Sequence, residues 1–275
     1  MATMQEAGIM SILSDKISLP ASTQELQEQF KNAKPFPHLV IDNMFRDDVL
    51  DGVLNEIPPL TDDKWVHERR ERLSKSNLRS AVEFQEAGYQ FASFINSAKF
   101  LYLMTELSGV RGLLPDPYMG GAGFHVVPKG GQFDVHADRN IDQNTGLRRR
   151  LVMLTYLNKN WDHEFGGQLE LWDTSGSRCE RVVEPIFNRT VIFEVADQNF
   201  HGVRPVVVDG RARQSFAAYF HTVPDDSLIP HASVYAPSFY SKREPLVKRV
   251  MKEFTPPAVF RAKDWVKSRV KKDQY

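Results

Sequence analysis

The spacing of apolar and polar positions divides the chain into a helical beginning, a β-rich middle and a basic end. Ser22 followed by Glu25 forms a capping box, and Leu26 and Phe30 recur at helical spacing, so a short peripheral helix is predicted to run to about Lys31. Pro35 and Pro37 break the chain before an apolar run at 38–41 that reads as a strand, and 46–55 reads as a helix. Segment 61–80 is dense in charge, with few apolar anchors besides Trp65, Val66, Leu73 and Leu78. It reads as a loop-rich, solvated excursion, with a mobile flap over an active site as the competing reading. Phe91, Phe94, Ile95, Ala98 and Leu101 then repeat at the period of one amphipathic helix that braces a sheet.

From about Gly120 to His221 the period shortens to two. Short runs rich in Val, Phe, Thr and Tyr, at 124–127, 132–136, 151–157, 168–172, 181–184, 190–195, 202–208 and 214–220, are separated by Gly, Asp and Asn. Strands of this length with such turn residues predict a β-sandwich or barrel. Beyond Pro224 two basic surface helices are expected, at 244–253 and 263–271. The expected organisation is a helical extension over 1–34, a β domain with supporting helices over 35–222 and a helical segment over 223–275.

Composition narrows the function. At 41% hydrophobic and 25% charged, the 275 residues suit a compact core domain with helical additions. No run approaches the ~18 apolar residues of a membrane span, and Met1 to Met10 lacks a charged n-region with an apolar h-region, so a cytoplasmic protein is expected. Thirty-five basic residues balance thirty-five acidic ones, which argues against a nucleic-acid or anionic-membrane partner. The one cysteine, Cys179, makes neither an internal disulfide nor a thiolate zinc site, so any metal must be held by His, Asp and Glu.

His136 and Asp138 meet that requirement, because residues two apart on a strand project from one face and can reach a single ion. His201, after the apolar strand at 190–195, offers a second imidazole. Two imidazoles and one carboxylate form the facial triad of non-haem iron, which leaves coordination positions open for a co-substrate and dioxygen. Arg213 adds a guanidinium suited to the far carboxylate of a 2-oxo diacid bound by its keto acid end. If 201–208 and 214–220 formed a hairpin, a two-residue turn at Asp209-Gly210 would put His201 and Arg213 on opposite faces. A three-residue loop through Arg211 pairs Val207 with Arg213 and leaves the two functional side chains on one face, roughly 20 Å apart at ~3.3 Å per residue. An odd loop or a bulge is therefore required, with Arg211 as the fallback cation.

The order His136-x-Asp138, His201, Arg213 resembles that of the iron(II)/2-oxoglutarate-dependent dioxygenases, in detail their prolyl-4-hydroxylase-like branch. Residues 156–162 with Gly166-Gly167 are similar to the family's tyrosine, Leu-Asn, tryptophan and glycine pair. Segment 188–193 is similar to the strand that leads into the second histidine, and 35–42 to the entry strand of many bacterial members. The resemblance implies a mainly β fold with flanking helices, a double-stranded β-helix of the cupin-like jelly-roll type. It implies His136, Asp138 and His201 as ligands of Fe(II), Arg213 and Tyr156 as partners of the distal carboxylate of 2-oxoglutarate, and dioxygen as the second co-substrate. Retention of Asp138 favours hydroxylation over halogenation.

The expected substrate is a small amino-acid-like metabolite bearing a carboxylate, paired by Arg69, Arg70, Arg72, Arg139 or Arg204. The alternative is a prolyl or other residue of a protein. A non-catalytic cupin-like sensor and a zinc hydrolase are the remaining readings, and Arg213 turned away from the metal would favour the hydrolase. Arg149 reads equally as a site residue or a solvated one, and His125 as a core or rim histidine. Nothing in the sequence fixes the oligomeric state.

Overall fold

The structure, a computed structural model, describes residues 12–236 apart from 18, 20–21, 71 and 79–80, and the two basic helices expected near the end lie outside the described residues. Four helices come early: α1 (Thr23–Asn32), α2 (Asp47–Asn55), α3 (Glu86–Ile95) and α4 (Ala98–Ser108). The capping box is present, with the Ser22 hydroxyl accepting from the Glu25 amide at 3.1 Å. The helix it starts is not peripheral, because Leu26 and Phe30 are buried in the same core as the sheet residues. Where one helix was expected across 91–101 there are two. Asn96 turns its side chain back to the Ala92 carbonyl, and Ser97 leaves helical geometry to cap α4 through the Phe100 amide.

The β region contains β4 (Gly123–Pro128), β5 (Phe133–Ala137), β6 (Arg148–Tyr156), β7 (Leu169–Trp172), β8 (Cys179–Val183), β9 (Arg189–Glu194), β10 (His201–Val203) and β11 (Ala212–Thr222). Earlier in the chain lie β1 (His38–Asp42), β2 (Trp65–Arg70) and β3 (Leu73–Leu78), and β12 (Val234–Tyr235) closes the described part. The eight expected strands are all present, with β10 much shorter than predicted. The solvated excursion is overturned: its two halves pair as the antiparallel hairpin β2–β3, burying Trp65, Leu73, Ser76 and Leu78. Its apolar residues are too sparse for a strand pattern, but Trp65 pairs across the hairpin with Leu78 and the two anchor one end of it in the core.

The ladder order β1-β9-β6-β11-β4-β3-β5-β10-β7-β8 is that of a jelly roll. One sheet holds β1, β9, β6, β11 and β4, the facing sheet holds β5, β10, β7 and β8, and β3 pairs with both β4 and β5 along one side. The sheets meet across their inner faces, where Phe193 of β9 lies 4.7 Å from the His201 ring of β10. This is the double-stranded β-helix, mainly β with helices on one side.

Alternation along β11 explains the layering. Phe216 and Phe220 point to the helices, where Phe216 packs on Phe91 and Phe124, both 5.1 Å between ring centres, and Phe220 on Phe100 at 6.1 Å. Arg213, Ser215 and Tyr219 point the other way, into the interior between the sheets. With both faces covered, the strand reads in sequence as a nearly unbroken apolar run.

At its end, His221 is 1% exposed with both ring nitrogens unpartnered. Burial, followed by the nearby Arg149, pushes its pKa down to about 4. The folded state therefore disfavours the protonated ring, so this stabilising contribution is complete above the unfolded value of 6.5 and is lost as pH falls towards 4. The depression corresponds to roughly 3 kcal/mol. His221→Phe should flatten the acid side of the stability curve, read as urea midpoints in steps from neutral pH to acid. Identical pH slopes for variant and wild type would contradict this.

Candidate active site

The metal-binding geometry follows from strand register. In the β5–β10 ladder His136 is directly opposite His201, so the two imidazoles emerge side by side with ring centres 4.4 Å apart. Asp138, one residue past the end of β5, projects from the same face. The three side chains place their ligand atoms within 4.8 Å of one another.

The second nitrogen of each imidazole is fixed by the backbone. His136 Nδ1 lies 2.8 Å from the Asp134 carbonyl and His201 Nδ1 lies 3.1 Å from that of Asn199. A carbonyl only accepts, so each Nδ1 donates to it and each Nε2 is the ring atom left facing the centre. There His136 Nε2 faces Asp138 Oδ1 at 3.3 Å, and His201 Nε2 faces Asp138 Oδ2 at 3.9 Å. His136 Nε2 is buried with no hydrogen-bond partner. The two Nε2 atoms and the carboxylate lie close enough to ligate one ion, so the donor set fits a divalent metal, and two imidazoles with one carboxylate suit Fe(II).

The surroundings hold the ligands in these charge states. Burial alone would raise the Asp138 carboxyl, but the His136 contact, the neighbouring His201 and the Arg149 guanidinium outweigh it and hold the carboxyl below the usual range. Burial, then the neighbouring His136, brings His201 down to about 4, so its ring is neutral at physiological pH. Phe133 stacks on the His136 ring at 3.7 Å between centres.

Arg213 and Tyr156 are buried side by side, each with an unsatisfied donor. Arg213 lines the same cavity as the triad and is 3% exposed. Its Nε donates to the Gly167 carbonyl at 2.8 Å, while Nη2 is buried with no partner. The close approach depends on Gly167, at φ +74°, where an added Cβ would lie 3.1 Å from Arg213 Cδ. Tyr156 is fully buried beneath the guanidinium, whose central carbon lies 4.9 Å from the ring centre, and its hydroxyl is also unpartnered. A carboxylate accepting from both would satisfy the two orphaned donors.

The route by which Arg213 reaches the site differs from the expected hairpin. His201 is on β10, whose neighbours are β5 and β7, whereas Arg213 is on β11, between β4 and β6. The two converge from facing sheets, and the parity of the loop at 209–211 does not decide the matter. Arg211, the fallback, is exposed and donates to the Asn160 carbonyl at 2.8 Å.

Two contributors were missed. The Tyr219 hydroxyl donates to Asp138 Oδ2 at 3.2 Å, and Arg149, rather than being solvated, lies 4.0 Å over the Tyr219 ring while bonding to Asp142 and the Gly120 carbonyl. Tyr219 shares the parity of Arg213, so strand alternation was the available signal. The other is Lys75 of β3, which also lines the cavity. His125 lines it too, with Nε2 tied to the Gly121 carbonyl at 3.0 Å.

A jelly roll with a buried His-Asp-His triad beside an arginine that keeps one buried donor open is an arrangement suited to non-haem iron and a 2-oxo diacid. Residues 122–221 match the model of the 2OG-Fe(II) oxygenase superfamily. The chain is similar to prolyl 3-hydroxylase OGFOD1 of Mus musculus, 27% identical over 195 residues, 68% of this chain and 33% of that protein. It thus spans about a third of the length of that relative. Among solved structures it is similar to a prolyl hydroxylase of Trichoplax adhaerens in complex with a hypoxia inducible factor oxygen degradation domain peptide fragment. The TM-score is 0.52 at 19% identity, over 72% of this chain and 88% of that one. A Pseudomonas putida prolyl-4-hydroxylase gives 0.51 at 20% identity, over 72% and 98%. At these identities the two structures establish the fold.

Second-sphere contacts of this kind typically carry ~10–100-fold of metal affinity. Tyr219→Phe should therefore weaken binding of Fe(II) or Co(II) by about tenfold. His201→Ala should abolish stoichiometric binding, both measured by competition with a chromophoric chelator under argon. Unchanged affinity in His201→Ala would remove it from the ligand set.

Proposed function

We propose that the chain is an iron(II)- and 2-oxoglutarate-dependent dioxygenase that hydroxylates a residue, a prolyl, in a peptide or protein. The observation that carries the cofactor part is the buried convergence of His136, Asp138 and His201 beside the orphaned donors of Arg213 and Tyr156. For the substrate, the support is that the similar proteins are prolyl hydroxylases.

When bound, Fe(II) and 2-oxoglutarate would supply the electrons that activate dioxygen, the oxidant, with one oxygen atom passing to succinate as carbon dioxide leaves and the other to the substrate C–H bond. The chain's own residues do the rest. His136, Asp138 and His201 would hold the metal with three ligands, fewer than its full coordination number, so positions would remain for co-substrate and dioxygen. Arg213, held by the Gly167 carbonyl, and Tyr156 bind and orient the distal carboxylate. Tyr219 fixes one carboxylate oxygen of Asp138. Phe133, Leu154, Leu169 and Phe193 line the cavity with apolar surface that limits water near the metal.

The metabolite reading has less support. Of the five arginines expected to grip a small anion, Arg69 and Arg70 are exposed, Arg204 pairs with Glu170 and Arg72 donates to the Ala236 carbonyl at 3.1 Å, which leaves the half-buried Arg139, next to Asp138 in sequence, as the remaining candidate. The hydrolase and sensor readings leave the unpaired Arg213 without a task, since a zinc-bound water needs no distal cation.

Incubation of the iron-loaded protein with 2-oxoglutarate and either proline-containing peptides or free amino acids separates the substrate classes. Succinate formation coupled to the gain of one oxygen atom should occur with peptides. Coupled turnover with amino acids only would overturn the prolyl reading.

A further inference from the structure

Lys75 lies in a segment whose sequence reads as solvated loop, but the structure turns it into the cavity. The β4–β11 ladder pairs Val127 with Arg213, and the β3–β4 ladder pairs Ser76 with Val126 and Asn77 with His125. One step further in that second register, Lys75 falls beside Val127. Directly opposed residues of antiparallel strands share a face, so Arg213, Val127 and Lys75 form one row across β11, β4 and β3. At ~4.8 Å between strands, the backbones of Arg213 and Lys75 are about 10 Å apart, with both long side chains entering the same space.

The ammonium group has no ion pair within 4.0 Å among the described residues, although Glu68 is directly opposite on β2. It lies instead 5.4 Å from the centre of the Phe133 ring, the ring that stacks on His136. Burial favours the neutral amine here. A half-buried lysine turned from an adjacent carboxylate towards a cavity is stabilised by an anion arriving there.

We propose that Lys75 is a second cation of the co-substrate cradle, binding the distal carboxylate of 2-oxoglutarate together with Arg213. The proposal rests on the 2-oxoglutarate reading above. It assigns to β3, the strand that joins the two sheets, a share in specificity for a diacid over a monoacid.

The test is anaerobic binding, with no turnover. The wild-type chain, Lys75→Met and Lys75→Arg are loaded with Mn(II), and 2-oxoglutarate and 2-oxopentanoate, which has a methyl group in place of the distal carboxylate, are titrated calorimetrically. A charge-assisted hydrogen bond is worth about tenfold or more. Lys75→Met should therefore weaken 2-oxoglutarate by at least about tenfold while leaving Mn(II) and 2-oxopentanoate within about twofold. Lys75→Arg should recover most of the loss. Unchanged 2-oxoglutarate affinity in Lys75→Met, or equal losses for both acids, overturns the assignment. A wild-type chain that binds Mn(II) but no 2-oxoglutarate removes the co-substrate reading itself, an outcome distinct from failure of the variant alone.

Discussion

The pairing of His136 with His201 across β5 and β10 is the constraint on which the site depends. Side chains on a strand alternate with period two, so a slip of one residue in that ladder would send one imidazole to the opposite face. The register is held by its neighbours: β10 pairs on its other edge with Leu169–Leu171 of β7, and β12 places Tyr235 against His136 on the far side of β5. The apolar residues of these strands fix the pairing by burial, and the polar residues between them become ligands. Asp138 then needs only to lie two positions beyond His136.

The same rule organises the rest of the interior. Ser215 pairs with Tyr156 on one side and His125 on the other, while Arg213 pairs with Val127. The polar groups of the cavity thus arrive in cross-strand rows from several strands. Their burial costs several kcal/mol per unpaired polar or charged group, and the cost is offset only when each finds a partner. The backbone carbonyls of Asp134, Asn199 and Gly167 meet one donor each of His136, His201 and Arg213. What they leave open (His136 Nε2, Arg213 Nη2 and the Tyr156 hydroxyl) is the chemical outline of a metal and a carboxylate.

Much of this was legible in the sequence, for physical reasons that also explain the gaps. His136, Asp138, His201, Arg213 and Tyr156 are converging cavity or neighbouring side chains, and the local spacing of His136 with Asp138 suffices to place both on one face. The path from His201 to Arg213 was misread because adjacent strands in sequence were assumed to pair, whereas a jelly roll sends them to different sheets. Lys75 was invisible because β2 and β3 carry polar or charged residues at most positions, so only Trp65, Leu73 and Leu78 signal burial. Tyr219 was overlooked although its parity with Arg213 predicted its direction. The break at Asn96-Ser97 is a capping event that an uninterrupted apolar period conceals.

The central claim is that one cavity holds iron(II) through His136, Asp138 and His201 and, at the same time, 2-oxoglutarate. The most direct measurement is the visible absorption spectrum of the anaerobic protein as iron(II) and then 2-oxoglutarate are added. Chelation of the metal by the keto acid in this cavity predicts a weak metal-to-ligand charge-transfer band that saturates at one equivalent of iron and is absent in Asp138→Ala. A folded protein that binds iron(II) tightly and shows no such band at saturating 2-oxoglutarate would contradict the account.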